Sequence, residues 1–217
     1  MMDFGKARAA MVEGQVRAND VTDTRLQQAM LTVPRELFVP KSRRSLAYMG
    51  ESVDLGEGRH LMDPRTFGKL IQALDVRPGD VVLDIGCATG YGAAVLSAMA
   101  ETVIGLENDE VLASSATHTL MELGVDNAAI MCGDLAAGAP DHGPYDVILV
   151  SGGVEVVPDA WAEQLADGGR MGVVVMTGPM GRAMLYLRTG DHVSSRVVFD
   201  STLPVMEGFT RPEEFVF

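Results

Sequence analysis

Residues 81–92, VVLDIGCATGYG, decide the fold of this 217-residue chain. The first five residues are apolar except for Asp84, as in a strand that is buried on both faces. Gly86, Gly90 and Gly92 follow, and the run AAVLSAMA after them is a good helix former. A strand, a glycine turn and a helix predict the start of a nucleotide-binding βαβ unit. In such a unit the glycines allow a sharp turn close to a ligand, and the helix N-terminus offers free N–H groups.

The glycine spacing indicates the class of ligand. A dinucleotide fingerprint needs G-x-G-x-x-G, but its second and third glycines would here be Ala88 and Tyr91. The pattern D-x-G-x-x-x-G instead resembles the first motif of S-adenosylmethionine-dependent methyltransferases. The next strand, ETVIGLEND, ends in Glu107, 21 positions after Gly86, where an acid can accept hydrogen bonds from both ribose hydroxyls. A glycine turn without a ligand is the alternative, and the ordered occurrence of Asp84, the glycines and Glu107 disfavours it.

Composition limits the partners and the location. The net charge is −13 and the pI about 4.6, which disfavours a nucleic-acid partner, although a local basic patch could still admit an RNA substrate. No apolar run approaches the ~20 residues of a membrane span, and the first residues have no apolar signal-peptide core. We therefore predict a cytoplasmic protein without membrane contact. The four histidines are scattered, so we expect no metal site, and Cys87 and Cys132 are predicted too far apart to bridge.

Segments on both sides of the central strand alternate between strand and helix. Helices are predicted at residues 3–18 and 24–33, from Pro64 onward and at 109–124, and the run MLYLRTGDHVSSRVVF predicts a hairpin. The fold class is therefore α/β: a Rossmann-like, doubly wound sheet of about seven strands with a C-terminal β-hairpin and an N-terminal helical extension. We expect one structural domain, with the extension at residues 1–66 and the cofactor-binding core at 67–217. Residues 42–66 are expected to form an ordered loop.

Segments along nearly the whole chain resemble the protein-L-isoaspartate (D-aspartate) O-methyltransferase family. The segments specific to that family are MVEGQVRANDVTD at 11–23, AMLTVPRELFVP at 29–40 and SLAY at 45–48. Core segments are RPGDVVLDIGCATGYGAAVL at 77–96, GPYDVILVSGG at 143–153 and EQLADGGRMGVVV at 163–175. The resemblance implies a class I methyltransferase fold that uses S-adenosyl-L-methionine, forms S-adenosyl-L-homocysteine and needs no metal. The implied reaction methylates the carboxylate of isoaspartyl residues in damaged proteins or peptides.

The resemblance also implies which residues bind the cofactor. The methionine part would be wrapped by Gly86, Cys87, Ala88, Thr89 and Gly90. Glu107 would hold the ribose and Asn108 would lie beside the adenine. Asp134 and Leu135 would contact the adenine amino group and ring, although a plain turn residue is a competing interpretation of Asp134. Asp84 would orient the loop or meet the ammonium group.

One loop departs from the family pattern. The family usually has G-Q-T-I-S-Q-P where this chain has Gly58-Arg59-His60-Leu61-Met62-Asp63-Pro64, and it usually has T-A-A where residues 151–153 read SGG. The hydroxyl residues implicated in substrate binding or catalysis are thus replaced by His60 and Met62. His60 could donate a hydrogen bond in their place, and Arg59 could supply a charge, so these three are the candidate catalytic positions. The alternative is a solvated His60 and a Met62 that only packs.

The expected reaction needs alignment more than proton transfer. A carboxylate with a pKa near ~4 is already a nucleophile at neutral pH and needs no general base, so the enzyme aligns and partly desolvates two ions. Three functions remain open: isoaspartyl methylation, methylation of another carboxylate or small molecule, and binding of S-adenosylmethionine or a partner without catalysis. The loop at 56–64 distinguishes the first from the others. The sequence does not predict the oligomeric state.

Overall fold

The computed structural model describes residues 2–56 and 58–211, and within them it contains a seven-stranded sheet and a separate two-stranded hairpin. The strands are β1 (Val53–Gly56), β2 (Arg59–Leu61), β3 (Val81–Ile85), β4 (Thr102–Glu107), β5 (Ala128–Cys132), β6 (Tyr145–Val154), β7 (Leu165–Thr177), β8 (Met180–Thr189) and β9 (His192–Asp200). The sheet order is β5-β4-β3-β6-β7-β8-β9, parallel from β5 to β7 and antiparallel from β7 to β9. The predicted doubly wound sheet with a C-terminal hairpin is confirmed.

Capping side chains set where several helices begin. The helices are α1 (Phe4–Met11), α2 (Thr24–Thr32), α3 (Pro64–Leu74), α4 (Tyr91–Ser97), α5 (Glu110–Glu122) and α6 (Asp159–Glu163). Asp23, Asp63 and Asp109 each accept hydrogen bonds from backbone N–H groups in the first turn that follows them. Pro64 occupies the first position of α3, where its missing N–H costs nothing. None of the helices in the described part of the chain combines the length and apolar character needed to cross a bilayer.

The N-terminal region is helical, as predicted, but not uniformly. After α1 the chain continues as a π-helical turn at Val12–Val16 and a 3-10 turn at Arg17–Asn19. Residues 42–66, expected as a loop, contain part of a 3-10 helix and the β1–β2 hairpin. Apolar side chains of this region and of the sheet join one buried cluster, in which Val16 and Leu26 pack with Leu70 and Val95. The division of the chain at residue 66 stays a prediction.

The strand order creates a crevice at one edge of the sheet. Strand β3 pairs with β4 on one side and with β6 on the other. The winding of the chain therefore reverses at β3, and ligands of open α/β sheets bind outside the carboxyl ends of strands at such a switch point. We call the space above the carboxyl ends of β3 and β6 the crevice. The sequence 81–92 delivers its glycine turn to this place.

Candidate active site

The glycine turn after β3 is held in a left-handed conformation. Gly86 and Gly90 have φ of 71° and 89°, and Ala88 between them has φ of 48°. The N–H groups of Gly86 and Cys87 donate to the carbonyl of Leu106 at 2.8 and 3.1 Å, which fastens the turn to the end of β4. Because glycine adopts positive φ without steric cost, this turn can enter α4 with its backbone facing the crevice.

Glu107 lies at the end of β4, fully buried beneath the glycine turn. Its Oε2 accepts from the N–H of Ala88 at 2.8 Å, and its Oε1 accepts from the N–H groups of Asn108 at 2.8 Å and Asp109 at 3.2 Å. The structure therefore brings the predicted ribose acid and the predicted methionine-binding turn into direct contact. These backbone donors fix the position of the carboxylate at the end of β4.

Arg59 reaches Glu107 from strand β2. Its Nε and Nη2 donate to Glu107 Oε1 at 3.1 and 2.9 Å, and Nη2 also donates to the side-chain carbonyl of Asn108. Both charged side chains are withdrawn from water, with Arg59 at 6% and Glu107 at 0% side-chain exposure. A buried carboxylate without a partner would be costly, so the guanidinium balances it. The sequence suggested that the positive charge of Arg59 would serve a substrate. In the structure this charge is instead paired with Glu107, the acid that is predicted to bind the ribose.

Asp84, near the carboxyl end of β3, is a second buried acid, and it contacts Ser151 of the crevice. Burial raises the pKa of Asp84 to about 7, Glu107 adds to the rise, and the Ser151 hydroxyl opposes it. Ser151 donates to Oδ1 at 2.5 Å, while Oδ2 is buried and has no hydrogen-bond partner within the described residues. A Cβ on Gly92 would stand 2.4 Å from Oδ2, so only glycine lets α4 begin this close to the carboxylate. Oδ2 thus packs against the first turn of α4, where the backbone of Ala93 also lowers the pKa of the carboxyl.

The β1–β2 hairpin is anchored by Arg35, which sequence reasoning did not single out. Arg35 is completely buried; its Nε donates to the Ala47 carbonyl and its Nη2 to the Met62 carbonyl, both at 2.6 Å. Its guanidinium also stacks 4.8 Å from the centre of the Tyr91 ring. The V-P-R-E segment quoted above was the available signal, but only packing shows that its arginine holds the loop.

His60 and Met62 both line the crevice, together with Ser151 and Met206. Met62 is buried and belongs to the main apolar cluster. His60 is half-buried, lies opposite Asp54 in the hairpin, and has a buried Nδ1 without a hydrogen-bond partner in the described part of the chain. Of the two residues that replace hydroxyls, His60 alone has an unpaired polar side-chain atom within the described part of the chain.

The remaining predicted residues are spread from the crevice to its rim. Thr89 donates its hydroxyl to the Phe38 carbonyl at 2.6 Å, and burial raises the pKa of the Cys87 thiol. Leu135 is buried, with its Cδ1 4.0 Å from where a Cβ of Gly86 would stand. Asp134 is exposed and accepts from the N–H of Ala136 at 2.9 Å, the geometry of a turn residue.

These groups fit S-adenosylmethionine. The ligand carries an ammonium group, which can pair with the carboxylate of Asp84, and a ribose hydroxyl, which can donate to Oε2 of Glu107, whose one donor among the described residues is the N–H of Ala88. Among residues 2–56 and 58–211, no group of three or more His, Cys, Asp and Glu side chains is arranged to hold a metal ion. Arrangement and chemistry therefore point to a cofactor that is bound by two carboxylates and a glycine turn.

Known proteins share both the sequence and the architecture. Residues 6–203 match a family model described as protein-L-isoaspartate(D-aspartate) O-methyltransferase. A protein-L-isoaspartate O-methyltransferase of Roseiflexus castenholzii (strain DSM 13941 / HLO8) is 40% identical over 200 residues, which cover 92% of this chain and 91% of the relative. A solved protein-L-isoaspartate O-methyltransferase is 27% identical with a TM-score of 0.77, over 94% of this chain and 65% of that one.

A second solved structure supports the fold alone. It is a Plasmodium falciparum protein described as a putative protein-L-isoaspartate O-methyltransferase in complex with S-adenosyl-L-homocysteine. It is 18% identical to this chain, with a TM-score of 0.78 over 92% of this chain and 98% of that one.

Proposed function

The chain belongs to the protein-L-isoaspartate (D-aspartate) O-methyltransferase family, and we propose that it methylates the carboxylate of isoaspartyl residues in damaged proteins or peptides. It is an S-adenosylmethionine-dependent methyltransferase. The observation that carries the proposal is the pair of buried acids, Asp84 and Glu107, at the two sides of the glycine turn. The family relationship extends from residue 6 to residue 203 and so includes every residue of this arrangement.

On the cofactor side, we propose that residues 86–90 wrap the methionine part and that Asp84 accepts from its ammonium group. Glu107 holds the ribose hydroxyls, and Asn108 with Leu135 borders the adenine. Asp134 at the rim is the weakest member of this set, because its carboxylate already accepts from the backbone of its own turn. Arg59 acts here by balancing the charge of Glu107 in the buried pair.

On the substrate side, His60 is the proposed donor. When bound, S-adenosylmethionine supplies a methyl group on a positively charged sulfur. His60 lines the crevice with an unpaired ring nitrogen, so it can hold a substrate carboxylate in line by a hydrogen bond. Met62 supports the loop through packing and through its carbonyl, which accepts from Arg35.

A different acceptor is the second candidate function. Residues 58–64 contain no serine or threonine, and the carboxylate of Asp63 already caps α3. A site without the family's hydroxyls could accept another carboxylate or a small molecule on the same cofactor machinery. Binding of S-adenosylmethionine without catalysis is a further version of this alternative.

The test is a methyl-transfer assay with an isoaspartyl peptide beside its normal aspartyl twin. We expect transfer to the isoaspartyl peptide alone. His60→Ala should lower kcat/KM by about 10²–10³-fold, the usual effect of removing one aligned donor to a charged oxygen. The matched control is His118→Ala, because that side chain is 74% exposed on α5. No transfer to either peptide, with S-adenosyl-L-homocysteine still bound, would favour the second candidate.

We also propose that the reaction takes place in the cytoplasm. Both cysteines, Cys87 and Cys132, are free thiols, as is usual for proteins of a reducing compartment. The partners in this proposal are isoaspartyl-containing proteins or peptides, while the net charge of −13 argues against a nucleic acid.

A further inference from the structure

The crevice is covered by a stretch of the chain itself, residues 203–209, which we call the C-terminal segment. Val205 forms a parallel bridge with Gly153 at the end of β6. Gly153 donates to the Pro204 carbonyl at 3.0 Å, and Met206 donates to the Gly153 carbonyl at 2.9 Å. The segment thus pairs with β6 at Gly153, three residues beyond Val150, where the pairing of β6 with β3 ends. Apart from its first residue, the segment lies outside the family match, which ends at residue 203.

Glycines make room for the side chain of Met206. A Cβ on Gly152 would stand 2.4 Å from Met206 Cγ and 2.6 Å from its Sδ, and a Cβ on Gly86 would stand 2.8 Å from the same sulfur. A Cβ on Gly153 would stand 2.8 Å from the carbonyl oxygens of Leu203 and Pro204. These distances are too short for real contacts. An alanine at 153 would therefore displace the backbone of the segment, and an alanine at 152 would displace the Met206 side chain.

Burial holds the C-terminal segment in place. Met206 is 3% exposed, and Phe209 packs on Trp161 with ring centres 5.3 Å apart. About 10 Å³ remains free beside Met206 in the crevice, which is at most the space of one water molecule. A separate cavity of about 140 Å³ stays open beside Asn108 and Glu207. The part of the site next to Asn108 is thus open to solvent, whereas the part next to Gly86 is filled by Met206.

We infer that Met206 is an intramolecular plug, which occupies the part of the crevice that receives the methionine portion of S-adenosylmethionine. The inference rests on the proposed function. The Met206 side chain carries two methylene groups and a sulfur, as the methionine portion of the cofactor does, and it packs on Gly86 of the same turn. Cofactor binding therefore requires the C-terminal segment to leave. Because only open molecules bind the cofactor, the apparent Kd equals the intrinsic Kd divided by the fraction of open molecules.

Calorimetric titration with S-adenosyl-L-homocysteine tests the plug. Met206→Ala is expected to lower the Kd by about 10- to 100-fold, because closure then no longer buries one large apolar side chain. Gly152→Ala should also lower the Kd, because the added methyl group displaces Met206. This second variant tests the plug if Met206→Ala folds poorly. Met121→Ala is the matched control, since Met121 is 72% exposed on α5, and it should bind like wild type.

Hydrogen exchange supplies a second readout on the unchanged chain. The amide of Met206, which donates to Gly153, should exchange faster when S-adenosyl-L-homocysteine is bound. Equal Kd values for wild type and both variants, with this amide still protected in the complex, would overturn the plug and leave the methyltransferase proposal intact. Absence of binding to all four proteins would instead refute the cofactor site and, with it, the plug.

Discussion

The buried carboxyl of Asp84 should make the free energy of unfolding of this protein fall as pH rises towards and through neutrality. That carboxyl is completely buried, and its pKa rises from the ordinary 3.8 to about 7. Between these two values the native protein holds a proton that the unfolded chain has lost, so rising pH favours the unfolded state. The loss begins near pH 4 and is complete above pH 7. A rise of this size corresponds to roughly 4 kcal/mol at pH 8, and more than half of it, about 2–3 kcal/mol, is lost between pH 5 and pH 8.

Asp84→Asn isolates this contribution, because the amide keeps the shape of the carboxyl and can still accept from Ser151. Urea unfolding of wild type and variant at pH 5, 6, 7 and 8 gives the free energy of unfolding of each. Relative to wild type, the free energy of unfolding of the variant should rise by about 2–3 kcal/mol from pH 5 to pH 8, which is about 1 M in urea midpoint for a slope of roughly 2–3 kcal/mol/M. Titration of other groups cancels in the difference.

The control is Asp126→Asn, because that aspartate is exposed in the loop before β5. Its free energy of unfolding should follow wild type at every pH. If the difference between wild type and Asp84→Asn were the same at pH 5 and pH 8, the buried carboxyl would not carry the raised pKa, and the reasoning from its burial would be wrong.

Further predictions concern the cofactor and the loop. At pH 6, binding of S-adenosyl-L-homocysteine should release close to one proton from Asp84, visible as a buffer-dependent heat in calorimetry and absent in Asp84→Asn. Glu107→Gln should weaken this binding by about 10- to 100-fold and destabilise the fold by roughly 3–5 kcal/mol, measured by urea unfolding, because the buried charge of Arg59 is left without an opposite charge. Arg35→Met should cost about 2–4 kcal/mol in the same assay, since the buried Ala47 and Met62 carbonyls each lose a donor. Met62→Ser should cost about 2–4 kcal/mol by opening a cavity in the main cluster, without raising methyl transfer.

The architecture of this protein could be predicted because its signals are local. Apolar runs with a period of two or 3.6 residues, aspartates before helices and glycines at turns specify strands, helices and their ends within a few neighbours. The position of Glu107 followed from the same reasoning, since an acid at the end of the strand next to the glycine turn must lie at the same edge of a parallel sheet. Sequence alone therefore determined the fold class and placed Asp84 and Glu107 at the carboxyl ends of two neighbouring strands.

Only the tertiary structure decided how the crevice is filled. Arg59 and Glu107 are 48 positions apart, and nothing in the periodicity around either residue indicates that they pair. Met206 likewise meets Gly86 and Gly152 only because the chain, after β9, returns beside β6. Contacts between distant segments depend on the path of the backbone and on which side chains fit the remaining space. A local pattern carries neither, so the pairing of Arg59 and the position of Met206 appear only when the chain is folded.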